Sequence, residues 1–446
     1  MAINIIDPQS PGRPHVDSYW AQTAGDEVEN TPSIRGDIDI DVAIIGGGYT
    51  GLSTAYHLAK EFGQTAHVLE ANQIGWGCSG RNGGFASIGI GKSSIDGWIR
   101  RWGLEGARNS FEQSRDAVRL VHGLLREEAI DAQPTPDGGL ELAHQPSRVK
   151  NLIEDQRFMK EKLGVETRIL SKQELERDHL ISREAHGALF YEEGFALHAL
   201  RYARGMARAA QKHGAILHSS SPVQAWRRDG KRHLLSTPGG IVRANQVVIA
   251  GNGYTGDRLH SHINGRLLPV LSNIIVTRPL TEAERQSVNW LTYRKIWDTR
   301  HLLFYYRLLP DNRILFGARG GIEDTPESRA ERRAWLIRRL GEMFPPLAKV
   351  DIEYFWNGWV CATYDKNPHV GTSDEGTVHY ALGYIGTGVA LSTYCGRLLA
   401  HQLTGSKTLQ ASSLLRVPLP RFPFPAFRRV YQRVMYQMYE FQDQRS

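Results

Sequence analysis

The chain has 446 residues, 41% of them hydrophobic and 23% charged, and its 54 basic and 47 acidic side chains give a net charge of +7. This length predicts two domains. No apolar run reaches the ~18 residues that a membrane-spanning helix needs, and the three cysteines (Cys78, Cys361 and Cys395) have neither disulfide nor metal-ligand spacing. Because basic and acidic residues are interleaved rather than grouped into a basic stripe, we predict no nucleic-acid partner.

Residues 1–37 precede the first predicted strand and are expected to form an arm that lies over the protein surface. They contain acidic residues and prolines where a signal peptide needs an apolar core, so we predict a cytoplasmic protein, in agreement with its low cysteine content. Tyr19 and Trp20 are predicted to anchor the arm by packing against the body of the protein.

A complete βαβ unit follows, and it carries the clearest chemical signal in the chain. Residues 42–45 have the length and apolarity of a buried strand, a helix with apolar residues at helical spacing comes next, and a second short strand ends in Glu70. Three glycines connect the first strand to the helix with the spacing G-x-G-x-x-G. This combination is the fingerprint of a dinucleotide-binding site.

Each residue type in the fingerprint meets a physical need. Gly46 permits the tight turn, Gly48 lets a pyrophosphate approach the backbone, and Gly51 lets the helix pack closely on the strand. The helix N-terminus offers N–H groups and a partial positive charge to phosphates, while Glu70 lies where an acid binds ribose hydroxyls. The residues predicted to contact a dinucleotide here are Gly46, Gly48, Tyr49, Thr50, Gly51, Glu70 and Ala71.

The loop 74–84 is so dense in glycine that we predict it brings its backbone close to a ligand. Beyond it, helical periodicity alternates with short apolar runs. Helices are predicted over 104–129, 151–163, 172–178 and 197–213, and strands over 187–191, 215–218 and 247–250. The last of these strands runs into Gly251, which gives the first domain a second strand followed by a glycine turn.

The pattern changes to strands between residues 267 and 319. Two runs, 301–307 and 313–319, flank Leu-Leu-Pro-Asp-Asn, which predicts an antiparallel hairpin and therefore a separate sheet. The elements predicted after it are a helix over 327–343, strands over 351–361 and 377–381, and a helix that follows the glycine cluster 383–388.

The tail from residue 414 to residue 446 is rich in proline, arginine and aromatic residues. Its aromatic residues recur at helical spacing, which favours a helix docked on its own protein. A helix that makes weak contact with a membrane surface is the alternative.

Taken together, these motifs resemble those of the FAD-dependent glycine/D-amino-acid oxidase (DAO) family, most closely its γ-glutamylputrescine oxidase-like branch. The likeness covers about residues 18–405. It rests on the glycine fingerprint with Glu70, on Ser79-Gly-Arg-Asn-Gly-Gly84, on the glycine cluster 383–388 and on the Trp-x-Gly run that begins at Trp356. The resemblance implies an α/β fold in which a Rossmann-like FAD-binding domain is interleaved with an antiparallel-sheet α+β substrate domain.

The resemblance also implies a division of the chain and further contacts to non-covalent FAD. The predicted segments are the N-terminal arm (1–37), three parts of the FAD-binding domain (38–95, 193–265 and 353–410), two parts of the substrate domain (96–192, helical, and 266–352, antiparallel sheet) and an aromatic, basic tail (411–446). Val223 is expected at the adenine, loop 79–84 at the pyrophosphate and flavin, and the helix after Gly386 at the flavin pyrimidine. The cofactor residues added in this way are Ser79, Gly80, Arg81, Asn82, Gly83, Gly84, Val223, Gly251, Gly386, Thr387 and Gly388.

The implied reaction moves a hydride from a C–H beside an amine nitrogen to flavin, and water hydrolyses the resulting imine, with O2 as electron acceptor. The branch points to γ-glutamylputrescine or a related amine. Several relatives place Arg-Pro after a glycine to bind an α-carboxylate, whereas this chain has Gly358-Trp359-Val360. Arg319, Arg307 and Lys366 are candidate replacements for that cation, and Tyr305 is a candidate wall of the substrate pocket. Tyr305, Arg319 and Lys366 are therefore our candidate catalytic residues.

Three alternatives stay open on the sequence alone. The chain could encode an oxidase of a secondary amino acid such as L-pipecolate. It could also be a quinone-linked, membrane-associated amino-acid dehydrogenase whose aromatic tail contacts the membrane. A flavin-binding scaffold without turnover is the alternative from a different functional class, because fold alone does not fix function. The sequence does not specify the oligomeric state.

Overall fold

The computed structural model describes residues 12–445, whose strands form two large sheets and one two-stranded sheet. The strands are β1 (Ile38–Ile45), β2 (His67–Leu69), β3 (Phe85–Ala86), β4 (Gly139–Leu142), β5 (Thr167–Ser171), β6 (Gly187–Tyr191), β7 (Phe195–Ala196), β8 (Ile216–His218), β9 (Ala225–Asp229), β10 (Arg232–Thr237), β11 (Gly240–Ile249), β12 (Leu268–Thr277), β13 (Lys295–Asp298), β14 (Phe304–Leu308), β15 (Ile314–Arg319), β16 (Ile352–Ala362), β17 (His369–Ser373) and β18 (Val378–Leu382). The helices are α1 (Tyr19–Thr23), α2 (Tyr49–Phe62), α3 (Ile95–Glu127), α4 (Val149–Phe158), α5 (Lys172–Asp178), α6 (Ala199–Lys212), α7 (Glu282–Ser287), α8 (Pro326–Met343), α9 (Gly388–Leu403) and α10 (Arg428–Arg445).

The first sheet has the strand order β17-β18-β11-β1-β2-β8, and every pair in it except β17–β18 is parallel. Val42, Ala43 and Ile44 of β1 are fully buried. Val42 and Ile44 pack against residues of α2, α6 and α9 on one face of the sheet, and Ala43 packs on the other face with Leu235 of β10. β9 and β10 extend from β11 as antiparallel strands. This sheet has the layered α/β arrangement of a dinucleotide-binding domain.

The second sheet has the strand order β16-β12-β15-β14-β13-β4-β6-β5. All of its neighbours pair antiparallel except β13 and β4, which run parallel. The predicted hairpin is β14–β15, in which Phe304 pairs with Ala318 and Leu308 with Ile314. Strands from separate parts of the chain therefore meet in one sheet, and the predicted interleaved α/β fold class is confirmed.

The sheet pairing differs from the predicted division of the chain in two places. β16 pairs with β12 along its whole length, so it belongs to the second sheet although the predicted boundary at residue 353 assigns most of it to the FAD-binding domain. The segment 96–192, predicted to be helical, also contributes β4, β5 and β6 to that sheet. A buried apolar strand has the same sequence pattern in either sheet, so the local sequence does not identify its pairing partner.

Most helices lie where helical spacing predicts them, and glycines mark several of their limits. α2 ends at Gly63, whose left-handed backbone (φ +63°) lets its N–H donate to Ala59 O. α3 begins nine residues earlier than predicted and is broken at Gly103 (φ +72°). α1 carries the two predicted anchors of the N-terminal arm, and Tyr19 and Trp20 are 4% and 1% exposed.

The C-terminal helix α10 docks on its own protein, as its aromatic stripe predicts. Arg428 forms a buried ion pair with Asp257, and the carboxylate of Asp443 accepts hydrogen bonds from the backbone N–H groups of His301 and Leu302. Its outer face nevertheless carries exposed apolar residues, Val430, Val434 and Met438, and Phe427 just before the helix is also exposed. Within residues 12–445, no helix is both long enough and apolar enough to cross a membrane.

Candidate active site

A cavity of about 1120 Å³ lies between the two large sheets. The C-terminal ends of β1, β2 and β11 open into it from one side, which is where open α/β sheets bind their ligands. One face of the second sheet forms the opposite wall, with residues from β12, β13, β14 and β15. The volume of this cavity exceeds the range of about 300–1,000 Å³ that is typical of pockets for drug-sized ligands. The cavity therefore has room for a dinucleotide and a substrate.

The glycine fingerprint forms the turn from β1 into α2 at one end of the cavity. Gly46 has φ +114°, and a Cβ there would lie 3.0 Å from the backbone of Ala250 and Gly251. A Cβ at Gly51 would collide with Gly46 O, so close packing of helix and strand requires glycine. α2 begins after Gly48, which has no side chain to cap it, and its first turn faces the cavity. This turn therefore presents backbone N–H groups to an anionic ligand.

Glu70 follows β2 and lies 7% exposed in the wall of the cavity. Its Oε2 accepts a hydrogen bond from Gly47 N at 2.7 Å, and its Oε1 accepts one from Asn72 N at 3.0 Å. Burial raises the pKa of this carboxyl, while these backbone N–H groups lower it. Each carboxylate oxygen has a second lone pair, so Glu70 can still accept hydrogen bonds from two ribose hydroxyls.

Arg81 places a buried positive charge beside the cavity. Its guanidinium stacks 4.0 Å from the Trp76 ring centroid, and its Nε donates to Trp76 O at 2.8 Å. The side chain is 6% exposed, forms no ion pair with any described residue, and its Nη2 has no hydrogen-bond partner within residues 12–445. An unpaired buried cation of this kind is stable when an anionic ligand neutralises it.

A second helix N-terminus reaches the cavity at the start of α9. The side chain of Thr387 donates to Tyr384 O at 2.9 Å and does not cap the helix. Gly386 has φ +104°, and a Cβ there would collide with Nη2 of Arg319. The free N–H groups of this first turn can stabilise negative charge on a ligand.

The cavity brings together most of the residues predicted for the cofactor. Those that line it are Gly46, Gly48, Tyr49, Thr50, Glu70, Ala71, Ser79, Arg81, Asn82, Gly83, Val223, Gly251, Gly386, Thr387 and Gly388. Gly51, Gly80 and Gly84 do not line it, because each packs against a backbone carbonyl behind it. These features fit FAD: two helix N-termini and the Arg81 cation suit its anionic parts, and Glu70 suits a ribose. At α2, the N–H of Tyr49 donates to Ser79 Oγ at 2.9 Å, so the later N–H groups of the first turn are the ones that face a ligand.

The candidate substrate residues occupy different environments. Tyr305 lines the cavity, and its hydroxyl lies 2.7 Å from Ser272 Oγ. Burial raises the pKa of Tyr305 above its ordinary value, so it stays neutral at physiological pH. Arg319 also lines the cavity, donates to Ile385 O at 3.0 Å and forms no ion pair with the described residues. Burial lowers the pKa of Arg319.

The two other candidate cations do not line the cavity. Lys366 donates to Tyr439 Oη of α10 at 2.9 Å. Arg307 is 2% exposed, donates to Leu197 O at 2.7 Å, and has a pKa that burial lowers to about 9. Arg307 lies two residues after Tyr305 on β14 and therefore on the same face of the strand, but its guanidinium donates to Leu197 O and does not reach the cavity. Neither cation contacts the space in which a substrate would lie.

Several cavity residues were not predicted from the sequence. They are Lys92, Glu141, Tyr191, Ser272, Lys295 and Trp297. Lys295 and Trp297 are two residues apart on β13 and therefore share a face, which is the only local signal that the sequence offers for them. β13 pairs with β4, and β4 pairs with β6, and both of these strands lie more than 100 residues earlier in the chain.

Comparisons with known proteins agree with this geometry. The family model described as FAD dependent oxidoreductase matches residues 41–402. The chain is 32% identical over 415 residues to the gamma-glutamylputrescine oxidoreductase of Escherichia coli strain K12, covering 93% of this chain and 94% of that protein. It is 25% identical over 384 residues to the glycine oxidase of Bacillus subtilis strain 168, covering 83% of this chain and 94% of that protein.

The fold is also similar to that of a solved structure. The crystal structure of glycine oxidase from Bacillus cereus ATCC 14579 superposes with a TM-score of 0.69 at 22% sequence identity, covering 86% of this chain and all of that chain. At this level of identity, the likeness supports the architecture of two interleaved sheets and carries no information about the substrate.

Proposed function

The chain belongs to the family of FAD-dependent oxidoreductases that act on amines and amino acids, and from this premise we propose that it oxidises a primary amine of the γ-glutamylputrescine type. The proposed overall reaction converts R-CH2-NH2, O2 and water into the aldehyde R-CHO, ammonia and H2O2. FAD, when bound, accepts the hydride from the carbon that carries the amine. The protein supplies binding, orientation and exclusion of water.

The residues around the cavity divide these tasks. The first turn of α2 and the Arg81 guanidinium would bind the pyrophosphate, Glu70 a ribose, and the first turn of α9 the flavin pyrimidine; their positions in the cavity support this assignment. Non-covalent attachment is proposed because Cys361 lies in a separate apolar cluster and is fully buried. Burial raises the pKa of its thiol to about 12, which disfavours the thiolate that covalent attachment needs.

The observation that carries the choice of an amine substrate is the acidic rim of the cavity. Asp155 on α4 and Glu193 after β6 both line the cavity, and Glu193 is paired with Arg115, so Asp155 is the acid available to a ligand. Asp155 forms no ion pair with the described residues, and burial raises the pKa of its carboxyl. A carboxylate placed in this way attracts a cationic substrate. The full-length similarity to a gamma-glutamylputrescine oxidoreductase supports the same substrate class.

A second candidate function follows from Arg319. This cation lines the cavity beside the start of α9 and has no carboxylate partner among the described residues, so it could bind the α-carboxylate of a cyclic amino acid such as L-pipecolate. Anaerobic stopped-flow reduction by γ-glutamylputrescine and by L-pipecolate separates the two, using wild type and Arg319→Ala saturated with FAD. The amine proposal expects faster reduction by γ-glutamylputrescine. Faster reduction by pipecolate that is lost in Arg319→Ala would replace it with the amino-acid function.

A membrane quinone is the alternative to O2 as the electron acceptor. The exposed apolar residues Val430, Val434 and Met438 on α10, with Phe427 just before it, are compatible with a membrane-surface contact and hence with a quinone acceptor. Sedimentation with anionic vesicles, comparing the full chain with a chain that ends at residue 413, tests this contact. Oxidase function predicts H2O2 formation without vesicles. Binding that depends on residues 414–446, together with slow reaction with O2, would favour the dehydrogenase.

A further inference from the structure

We propose that the cavity face formed by β4, β6 and β13 is a subsite for an amino-acid zwitterion, which binds the α-ammonium and α-carboxylate groups at the far end of a long amine substrate. Glu141 would hold the ammonium and Lys295 the carboxylate. This inference rests on the proposed function only for the position of the reacting amine. The subsite itself is defined by charge and shape, and its ligand does not need to react.

Glu141 is the acidic half of the subsite. Its carboxylate lines the cavity, accepts a hydrogen bond from Tyr191 Oη at 3.0 Å, and forms no ion pair with any residue between 12 and 445. The ring of Tyr191 packs against the ring of Trp297 beside this carboxylate, with centroids 5.5 Å apart and planes inclined by 37°. A carboxylate without an ion-pair partner matches an ammonium group, and the adjacent aromatic rings add to the attraction of a cation.

Lys295 is the basic half. It is 1% exposed, yet it lines the cavity, and its Nζ donates a hydrogen bond to Ala86 O at 2.8 Å. An ammonium group has three donors, and this one forms no ion pair with the described part of the chain. Burial lowers the pKa of Lys295 to about 7. A bound carboxylate would supply the missing counter-charge and hold the ammonium in its protonated form.

Two glycines make room for Lys295. A Cβ at Gly139 would lie 2.7 Å from Cε of Lys295 and 2.8 Å from the ring of Trp297, and a Cβ at Gly194 would collide with Nζ. A lysine enclosed in this way, with its charge directed along the cavity wall, differs from surface lysines, whose heads extend into water. The hydrogen bond to Ala86 O and the absence of a side chain at Gly194 hold the ammonium group beside the cavity.

The strand register places both charges on one face of the sheet. Lys295 pairs with Gly139 and Trp297 pairs with Glu141, so the Cα atoms of Lys295 and Glu141 are about 8 Å apart on a diagonal. Two side chains that converge from this spacing can bind two groups attached to the same carbon. A simple diamine would leave Lys295 without a counter-charge.

The distance from the reacting end fits the same class of molecule. Trp297 also pairs with Tyr305, so Tyr305, Trp297 and Glu141 form a row across three adjacent strands. Two strand spacings amount to about 10 Å. In a γ-glutamylated diamine, nine bonds separate the reacting nitrogen from the α-carbon, which corresponds to three extended residues or about 10 to 11 Å. The amine can therefore lie near Tyr305 while its amino-acid end reaches Glu141.

The test measures binding of unreactive ligands to the oxidised holoenzyme by titration calorimetry. γ-Glutamyl-n-butylamide carries both charges and lacks the reacting amine. N-butylglutaramate lacks the α-ammonium, and N-butyl-4-aminobutanamide lacks the α-carboxylate. Wild type should bind the first ligand about tenfold or more tightly than either of the others, which is the lower limit for losing one charge-assisted hydrogen bond.

The variants assign each charge to its partner. Glu141→Gln keeps an acceptor for Tyr191 and should abolish the preference over N-butylglutaramate, while Lys295→Met should abolish the preference over N-butyl-4-aminobutanamide. Glu154→Gln is the matched control, because it removes an exposed acid that also lines the cavity and should leave both preferences unchanged. FAD content and melting temperature check that each variant is folded, and Glu141→Gln alone decides the ammonium half.

The outcomes separate this inference from the proposed function. Equal affinity of wild type for all three ligands, or an unchanged preference in Glu141→Gln, would overturn the subsite even if γ-glutamylputrescine is oxidised. A preference that falls equally in Glu154→Gln would also overturn it, because the effect would then come from the general negative field. Charge-specific binding without oxidation of γ-glutamylputrescine would support the subsite and reject the proposed reaction.

Discussion

Replacing Glu70 by alanine separates its two expected roles, in FAD binding and in backbone structure. In the protein, its two carboxylate oxygens accept the N–H groups of Gly47 and Asn72 at 2.7 and 3.0 Å. The remaining lone pairs are available to a ribose. Glu70→Ala therefore removes contacts to the cofactor and leaves two backbone donors without their acceptor.

The size of both effects follows from the number and type of these hydrogen bonds. Hydrogen bonds to a charged group contribute about 1.5–3 kcal/mol, and a water molecule that replaces the carboxylate would restore part of this binding energy. We therefore expect the FAD binding free energy to weaken by about 1 to 3 kcal/mol. This corresponds to an increase in Kd of about 5- to 150-fold. The free energy of unfolding of the apoprotein should also fall, by about 1 to 3 kcal/mol, because two N–H donors at a buried position lose their partner.

Fluorescence titration of the apoprotein with FAD measures the FAD affinity, and urea unfolding of the apoprotein measures the free energy of unfolding. Asp155→Ala serves as the control, since it removes an acid that lines the same cavity away from the fingerprint. An FAD affinity that Glu70→Ala leaves unchanged would refute the ribose contact. A loss of apoprotein stability without any loss of affinity would assign Glu70 a purely structural role.

Three further predictions concern the cofactor and the buried lysine. FAD should separate completely from the chain on acid precipitation, whereas yellow colour in the pellet would indicate a covalent bond and contradict non-covalent attachment. Gly386→Ala should lower the FAD content after purification, because the added methyl meets Nη2 of Arg319 and the residue has φ +104°; full FAD occupancy would show that the loop adapts. Burial lowers the pKa of Lys295 from 10.5 to about 7 in the folded protein, so between about pH 7 and 10 unfolding takes up a proton at this residue and its contribution to stability rises with pH. Urea unfolding of the apoprotein over this range should show a steeper rise for wild type than for Lys295→Met, and parallel curves would contradict the lowered pKa.

The cofactor half of the cavity could be predicted because its signals are local. Gly46, Gly48 and Gly51 lie within six residues of one another, and the strand before them and the helix after them are evident from apolar periodicity. Glu70 follows at the distance that one βαβ unit requires. The turn into α9 could be predicted for the same reason, since a strand, a glycine cluster and a helix follow one another in the chain.

The substrate half could not be predicted because it depends on pairing between distant strands. Glu141 and Lys295 face the same space because β4 and β13 run side by side, although about 150 residues separate them. The different environments of Arg319 and Arg307 also depend on tertiary contacts. Tyr305, Arg307 and Arg319 lie on one face of the second sheet, because Arg307 follows Tyr305 by two residues and Arg319 follows Gly317, the partner of Tyr305, by two residues. Arg319 lines the cavity, whereas the guanidinium of Arg307 donates to Leu197 O.

The pairing of β16 with the second sheet could not be predicted for a similar reason. Residues 352–362 form a long strand whose central residues are buried on both faces, so its composition suits the parallel sheet as well as the antiparallel one. Only its pairing with β12 assigns it to the second sheet. Patterns of hydrophobicity identify a strand, and pairing energies between distant segments decide which sheet it joins.

The measurement that tests the central claim most directly is anaerobic titration of the purified protein, with absorbance spectra recorded after each addition. The compounds are γ-glutamylputrescine, other polyamines, D-amino acids, sarcosine and L-pipecolate. The account predicts that the protein carries FAD, that γ-glutamylputrescine or a closely related amine bleaches the oxidised-flavin spectrum fastest, and that admitting O2 restores the spectrum and yields H2O2. A spectrum that none of these compounds bleaches, or a protein that binds FMN in place of FAD, would contradict it.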